Sequence, residues 1–130
     1  MKKLTNTQII KKLLLYMQEA IERLKRGEIE LKDKDYYNHP CYYEYPKTEE
    51  DIMIMYTDYE DRIMIKVALR FEKGKYDHAT LCAYFMKDAG ELLKTSNGAI
   101  YGFSKEFRGK GHGYYADVSP EGKIIYGEWD

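Results

Sequence analysis

Arg62-Ile63-Met64-Ile65-Lys66-Val67-Ala68-Leu69-Arg70-Phe71-Glu72 is the stretch on which the fold turns. Ile63, Ile65, Val67, Leu69 and Phe71 take alternate positions, and Lys66, Arg70 and Glu72 fall between them. Successive side chains of a strand point to opposite faces, so this alternation predicts an antiparallel strand with one face buried and one toward solvent. Such a strand needs neighbours, and the chain supplies them on both sides. Downstream, a turn at Glu72-Lys73-Gly74-Lys75 leads into a strand over 76–87, where Ala79, Leu81, Ala83 and Phe85 alternate with Thr80, Cys82, Tyr84 and Met86. Upstream, Asp51 to Thr57 (Ile52, Met53, Ile54, Met55, Tyr56) is apolar on both faces and reads as a central strand reaching Arg62 through Asp58 to Asp61. The same two-sided run would also suit a homodimer joined through a sheet edge or face.

The buried face of this sheet is matched by one amphipathic helix. Thr5 and Gln8 have capping-box spacing, and Ile10, Leu13, Leu14, Met17, Ala20, Ile21 and Leu24 recur at three and four up to Gly27. Lys11, Lys12, Glu19, Glu22, Arg23, Lys25 and Arg26 form its polar side. At the other end of the chain, Ser119-Pro120-Glu121-Gly122 puts proline where a turn fixes φ and glycine where positive φ is wanted, joining a strand over 113–118 to one over 123–129. Residues 88–96 read as a strand entering an Asn97-Gly98 hairpin toward 99–104, with a short helix capped by Asp88 as the alternative. Residues 28–45 have no clean period and contain Pro40, which predicts surface loop with one short strand. The expected architecture is α+β in a single domain, residues 1–130. It consists of a helix over about 6–27, an acidic tyrosine-rich loop region over about 28–50, and an antiparallel sheet of five or six strands over about 51–130.

Composition bounds the function. The chain has 130 residues, 44% apolar and 33% charged, which lies inside the globular range. A formal charge of −1 argues against a surface built for direct nucleic-acid binding, which would be clearly basic. Lys11 and Lys12 interrupt the first apolar run, no small-residue cleavage site follows, and Leu13 to Met17 falls far short of the roughly 20 residues a membrane helix needs. With only two cysteines, Cys41 and Cys82, no disulfide framework is implied. The expectation is a cytoplasmic protein with reduced thiols and no membrane association.

The near-neutral total conceals a segregation. Residues 35–61 carry one basic against eight acidic side chains, a net −7, and hold seven of the 14 tyrosines. Tyrosine offers large apolar area at small entropic cost and a hydroxyl for hydrogen bonding, so it is enriched where proteins grip one another. Carboxylates around it steer association toward a basic partner. Proteins that handle nucleic acids are commonly basic, because they hold phosphates. The segment therefore predicts a non-enzymatic inhibitor or immunity-type antagonist of such a partner, for example a nuclease toxin or a phage-defence effector. Tyr36, Tyr37, Tyr42, Tyr43, Glu44, Tyr45, Glu49, Glu50 and Asp51 form the expected interface.

Three other chemistries are weaker in the sequence. Arg108-Gly109-Lys110-Gly111-His112-Gly113, followed by Tyr114, exposes amides and positive charge, so a nucleotide or phosphate ligand could be held by Arg108, Lys110, His112 and Tyr114. It leads into a strand, so the helix dipole of the phosphate-binding motifs is missing. His39, Cys41, His78, Cys82 and His112 do not have zinc-site spacing; on one strand His78 and Cys82 would lie about 13 Å apart, and neither a metal nor a cofactor is expected. His78 beside Asp77, and His112 near Lys110 with Asp117, could serve a small hydrolase, but nothing in their spacing assembles a catalytic set.

Overall fold

The computed structural model describes residues 4–70, 78–95, 98–107, 112–123 and 128–129, of which 106–107, 112–115 and 128–129 by their backbone. Helix α1 (Asn6–Lys25) opens on the expected capping box, with Thr5 Oγ1 accepting the Gln8 N–H at 3.2 Å and Gln8 Oε1 accepting the Thr5 N–H at 2.8 Å. It closes two residues earlier than its periodicity suggests. Gly27 turns at φ +73°, Glu28 N–H donates to the Arg23 carbonyl at 3.0 Å, and Gly27 N–H donates to that of Leu24 at 3.1 Å. These are the paired bonds of a Schellman stop. Ile9, Ile10, Leu13, Leu14, Met17, Ala20 and Ile21 are buried; covering each large side chain contributes about 1.5–3 kcal/mol before entropy.

The strands are β1 (Asp33–Lys34), β2 (Pro40–Glu44), β3 (Ile52–Asp58), β4 (Arg62–Arg70), β5 (His78–Met86), β6 (Glu91–Leu92), β7 (Tyr101–Phe107), β8 (His112–Val118) and β9 (Glu128–Trp129). They form one antiparallel sheet in the order β1-β2-β3-β4-β5-β7-β8-β9, with β6 paired to β5 beside β7. One cross-strand row shows how the alternation works: Glu44, Ile54, Val67, Leu81, Phe103 and Ala116 stand side by side on the helix side. All but Glu44 are buried. Met55, Lys66 and Cys82 form a row on the other face and are half-buried. β3 lies between β2 and β4, as its two apolar faces imply.

The α+β class is as expected, with more strands than expected. Among the described residues six strands have five or more residues, and three ladders of two residues add to them. The sheet begins at Asp33 rather than near residue 51, because Pro40-Cys41-Tyr42-Tyr43-Glu44 joins it as a full strand inside the expected loop region. Pro40 stands at the first position of β2, where a missing N–H costs least. Among the described residues, 88–95 form no strand ladder with 99–104 as expected, although the Thr95 N–H donates to the Ala99 carbonyl at 2.8 Å. Glu91 and Leu92 fold back on Met86 and Phe85 instead, and the Leu93 N–H donates to the Tyr84 carbonyl at 2.7 Å. β5 thus binds β7 with its first half and β6 with its end.

The turn at Ser119-Pro120-Glu121-Gly122 forms, with the Gly122 N–H on the Ser119 carbonyl at 2.9 Å and Gly122 at φ +86°. A Cβ there would also stand 3.3 Å from Leu14 Cδ1, so glycine serves both the turn and the helix contact. β9 pairs with β8 through Glu128 and Trp129. The expected turn at Glu72-Lys73-Gly74-Lys75 and the loop positions Arg108 and Lys110 lie outside the described residues. Among those described, no helix is long and apolar enough to cross a membrane.

Candidate functional site

Strand pairing, not sequence proximity, assembles the most conspicuous surface. Because Cys41 pairs with Thr57, the chain entering β2 runs beside the chain leaving β3. His39 therefore meets Tyr59, with ring centroids 4.8 Å apart at 65°. The rings continue outward through Tyr37 (6.4 Å from His39) to Tyr36 (5.1 Å from Tyr37, at 86°). Tyr36 is 92% and Tyr37 75% exposed, although both are large aromatic side chains. Tyr84 and Arg62 border the same end, and the Arg62 guanidinium lies 5.1 Å from the Tyr84 ring centroid.

This tyrosine end is a fixed structure. Asp35 Oδ1 accepts the N–H groups of Tyr37 (2.9 Å) and His39 (2.8 Å), and Asp35 Oδ2 lies 3.2 Å from His39 Nδ1. The carboxylate thus closes the loop that carries both exposed tyrosines, as aspartate does in Asx turns. Partial desolvation works against its ionisation, but these bonds outweigh it and hold Asp35 below the usual carboxylate value. In the hairpin opposite, Asp58 accepts the Glu60 N–H at 2.8 Å and pairs with Lys87 at 2.7 Å. Desolvation opposes these contacts too, and Asp58 still titrates below the ordinary range. Tyr59 is pushed up by burial first, then by Tyr84 and Asp35. Among the described residues the two non-glycine residues with positive φ, Asn38 (64°) and Glu60 (76°), both belong to this end. Backbone strain of that kind concentrates at functional sites.

The remaining expected interface residues are spread over the rest of β2 and its exit loop. Tyr42 faces the helix, with its ring 6.2 Å from that of buried Tyr56 at 28°. Glu44 also faces the helix, where it binds Arg23. Tyr43 points to the opposite face, 38% exposed, its hydroxyl pushed up by burial and then by Cys41. Tyr45, Glu49, Glu50 and Asp51 lie at the far end of β2, about 13 Å of strand from Pro40. There Tyr45, Glu50 and Asp51 border a cavity of about 240 Å³ with Lys66, Arg70 and His78.

Ion pairs reduce the apparent charge of the acidic segment. Glu44 meets Arg23, Glu49 meets Lys12 at 3.1 Å and Asp58 meets Lys87, while Asp35 contacts His39, a cation only when protonated. Among the described residues Glu50, Asp51, Glu60 and Asp61 carry no ion pair, so the free carboxylates stand at the two ends of β3. The Arg23–Glu44 pair is the most enclosed, with side chains 29% and 15% exposed beside a cavity of about 270 Å³. Arg23→Ala leaves Glu44 without its cation next to Tyr42 and Tyr56. It is expected to cost about 1–2 kcal/mol in urea denaturation, while the double variant Arg23→Ala/Glu44→Gln recovers part of that loss.

Comparison with known proteins finds no family model, no curated protein and no solved structure that matches this chain. The site must therefore be read from its own geometry. His39, Tyr59, Glu60 and Asp61 belong to the tyrosine end but not to the interface expected from sequence. The signal that would have found them is the hairpin Asp58–Asp61, whose register places residue 59 beside residue 39. Of the glycine-rich ligand loop, the backbone of His112 and Tyr114 starts β8, paired with Phe107 and Lys105.

Proposed function

We propose that this protein is a non-enzymatic binding protein, an inhibitor or immunity-type antagonist of a basic, nucleic-acid-handling protein such as a nuclease toxin or phage-defence effector. The observation that carries this reading is the pair Tyr36 and Tyr37, held almost fully exposed on a loop that Asp35 fastens. A soluble domain gains nothing for its own core by presenting two tyrosines in that way, whereas a preorganised aromatic pair is what a partner can desolvate. Glu60 and Asp61, unpaired on the adjoining hairpin, supply the negative field that favours a basic partner. Glu50 and Asp51 extend that field to the far end of β3.

The test begins with capture of the partner from lysate of the source cell and continues with the purified pair. The partner is expected to be basic, and its cleavage or binding of nucleic acid is expected to be suppressed by one equivalent of this protein. Glu60→Gln with Asp61→Asn is expected to slow association mainly at low salt and to leave dissociation nearly unchanged. A captured partner that is acidic, or one whose nucleic-acid activity this protein does not alter, overturns the reading.

A further inference from the structure

We propose that the tyrosine end is a receptor for a guanidinium group, so that the partner's central contact is an exposed arginine side chain seated on the rings of Tyr36 and Tyr37, with His39 and Tyr59 next along the row. This rests on the binding role proposed above and names the chemistry that the site takes.

Three observations lead to it. The rings are set at steep angles, 86° between Tyr36 and Tyr37 and 65° between His39 and Tyr59. They make corners and not parallel plates, so they suit a group that lies on one ring face and directs its edge elsewhere, more than a flat base intercalated between two rings. Ring faces are electron-rich and attract cations, arginine most often, because its plane stacks while its N–H edge stays free to bond. The second observation is charge. Asp35, Asp58, Glu60 and Asp61 belong to this end, against Arg62, Lys87 and, when protonated, His39, so the balance is negative. An anion would be repelled, and a purely apolar ligand would strip water from carboxylates without replacing it. The third is that this end already holds one guanidinium in the same manner. Arg62 lies on the Tyr84 ring, 5.1 Å from its centroid, although its buried Nε–H has no acceptor among the described residues.

The probe is Nα-acetyl-arginine amide, titrated into the full chain labelled with ¹⁵N, with the lysine and citrulline analogues alongside. Citrulline keeps the shape and loses the charge. Saturable shifts at about millimolar concentration are expected in the amides of residues 35–39 and 59–61. The arginine compound should bind about threefold more tightly than the lysine compound, and the citrulline compound should give no saturation. Tyr37→Ala should weaken arginine binding about fivefold without moving amide signals in β4 and β5. Equal binding of citrulline, shifts centred elsewhere, or no saturation overturns the inference. If the protein partner depends on Tyr36 and Tyr37 but the arginine probe does not bind, the guanidinium site falls and the binding role stands. If arginine binds here but the partner ignores these tyrosines, the reverse holds.

Discussion

Tyr56→Ala is expected to remove 3–5 kcal/mol of folding stability, measured by urea denaturation, which is a large part of the roughly 5–15 kcal/mol a domain of this kind possesses. Tyr56 is fully buried on β3, with Ile65 beside it on β4, the Tyr42 ring stacked on its outer side, and its hydroxyl 3.5 Å from the Ala20 carbonyl of α1. It therefore ties β2, β3, β4 and the helix together, and truncation opens a cavity that a rigid sheet cannot collapse. Tyr56→Phe separates the ring from the hydroxyl. At 3.5 Å the hydrogen bond is at the long limit, so the phenylalanine variant should lose no more than about 1 kcal/mol. Equal losses in the two variants would move the weight from packing to the hydroxyl.

The same residue gives the protein an alkaline limit. Burial first, and then the Glu44 carboxylate, push the Tyr56 hydroxyl well above the ordinary tyrosine value of 10.0, against the opposing charge of Arg23. Burial does the same for Tyr101. The unfolded chain loses these protons before the folded one does. Their contribution to stability is therefore complete below pH 10.0 and declines as pH rises above it. Thermal melting should fall across that window, and in Tyr56→Phe the fall should be shallower.

The parts of the fold that were legible are those in which one periodicity dominates. Ile63, Ile65, Val67 and Leu69 on β4, and Ala79, Leu81 and Ala83 on β5, face α1 as their alternation requires, and Thr5 with Gln8 caps the helix as the spacing requires. β2 is the one short strand expected within residues 28–45, but its position there was hidden for a physical reason. Tyr42 and Tyr43 look the same in sequence yet face opposite sides, and Glu44 faces the helix, where Arg23, 21 residues earlier, supplies its cation. An amphipathic side chain fits either face, so it leaves no period to read. The acidic segment was legible as composition but not as a surface. Lys12 and Arg23 come from the polar side of α1, Lys87 comes from beyond β5, and none of these long-range pairings can be counted from the local charge. What they leave is two separate acidic ends, with exposed aromatics concentrated at the one that carries Tyr36 and Tyr37.

That asymmetry makes the double replacement Tyr36→Ala/Tyr37→Ala the sharpest expected effect on binding. Partner affinity should fall by at least about 2 kcal/mol, or about thirtyfold, mostly through faster dissociation, because aromatic anchors at the centre of an interface act on residence time more than on encounter. Stability should change by no more than about 0.5 kcal/mol, since rings exposed to 92% and 75% contribute little to the core. The matched control is Glu49→Gln at the opposite end of β2, where the carboxylate already satisfies Lys12 at 3.1 Å. It removes one negative charge from the same acidic segment and should leave affinity within about twofold at physiological salt. Isothermal titration calorimetry at two salt concentrations distinguishes the two terms: the tyrosine loss should persist as salt rises, whereas a purely electrostatic surface would lose its affinity in wild type and variant alike. If Glu49→Gln weakened binding as much as the tyrosine pair does, the contact would lie along the far end of β3, and Tyr45, Glu50 and Asp51 would become its centre.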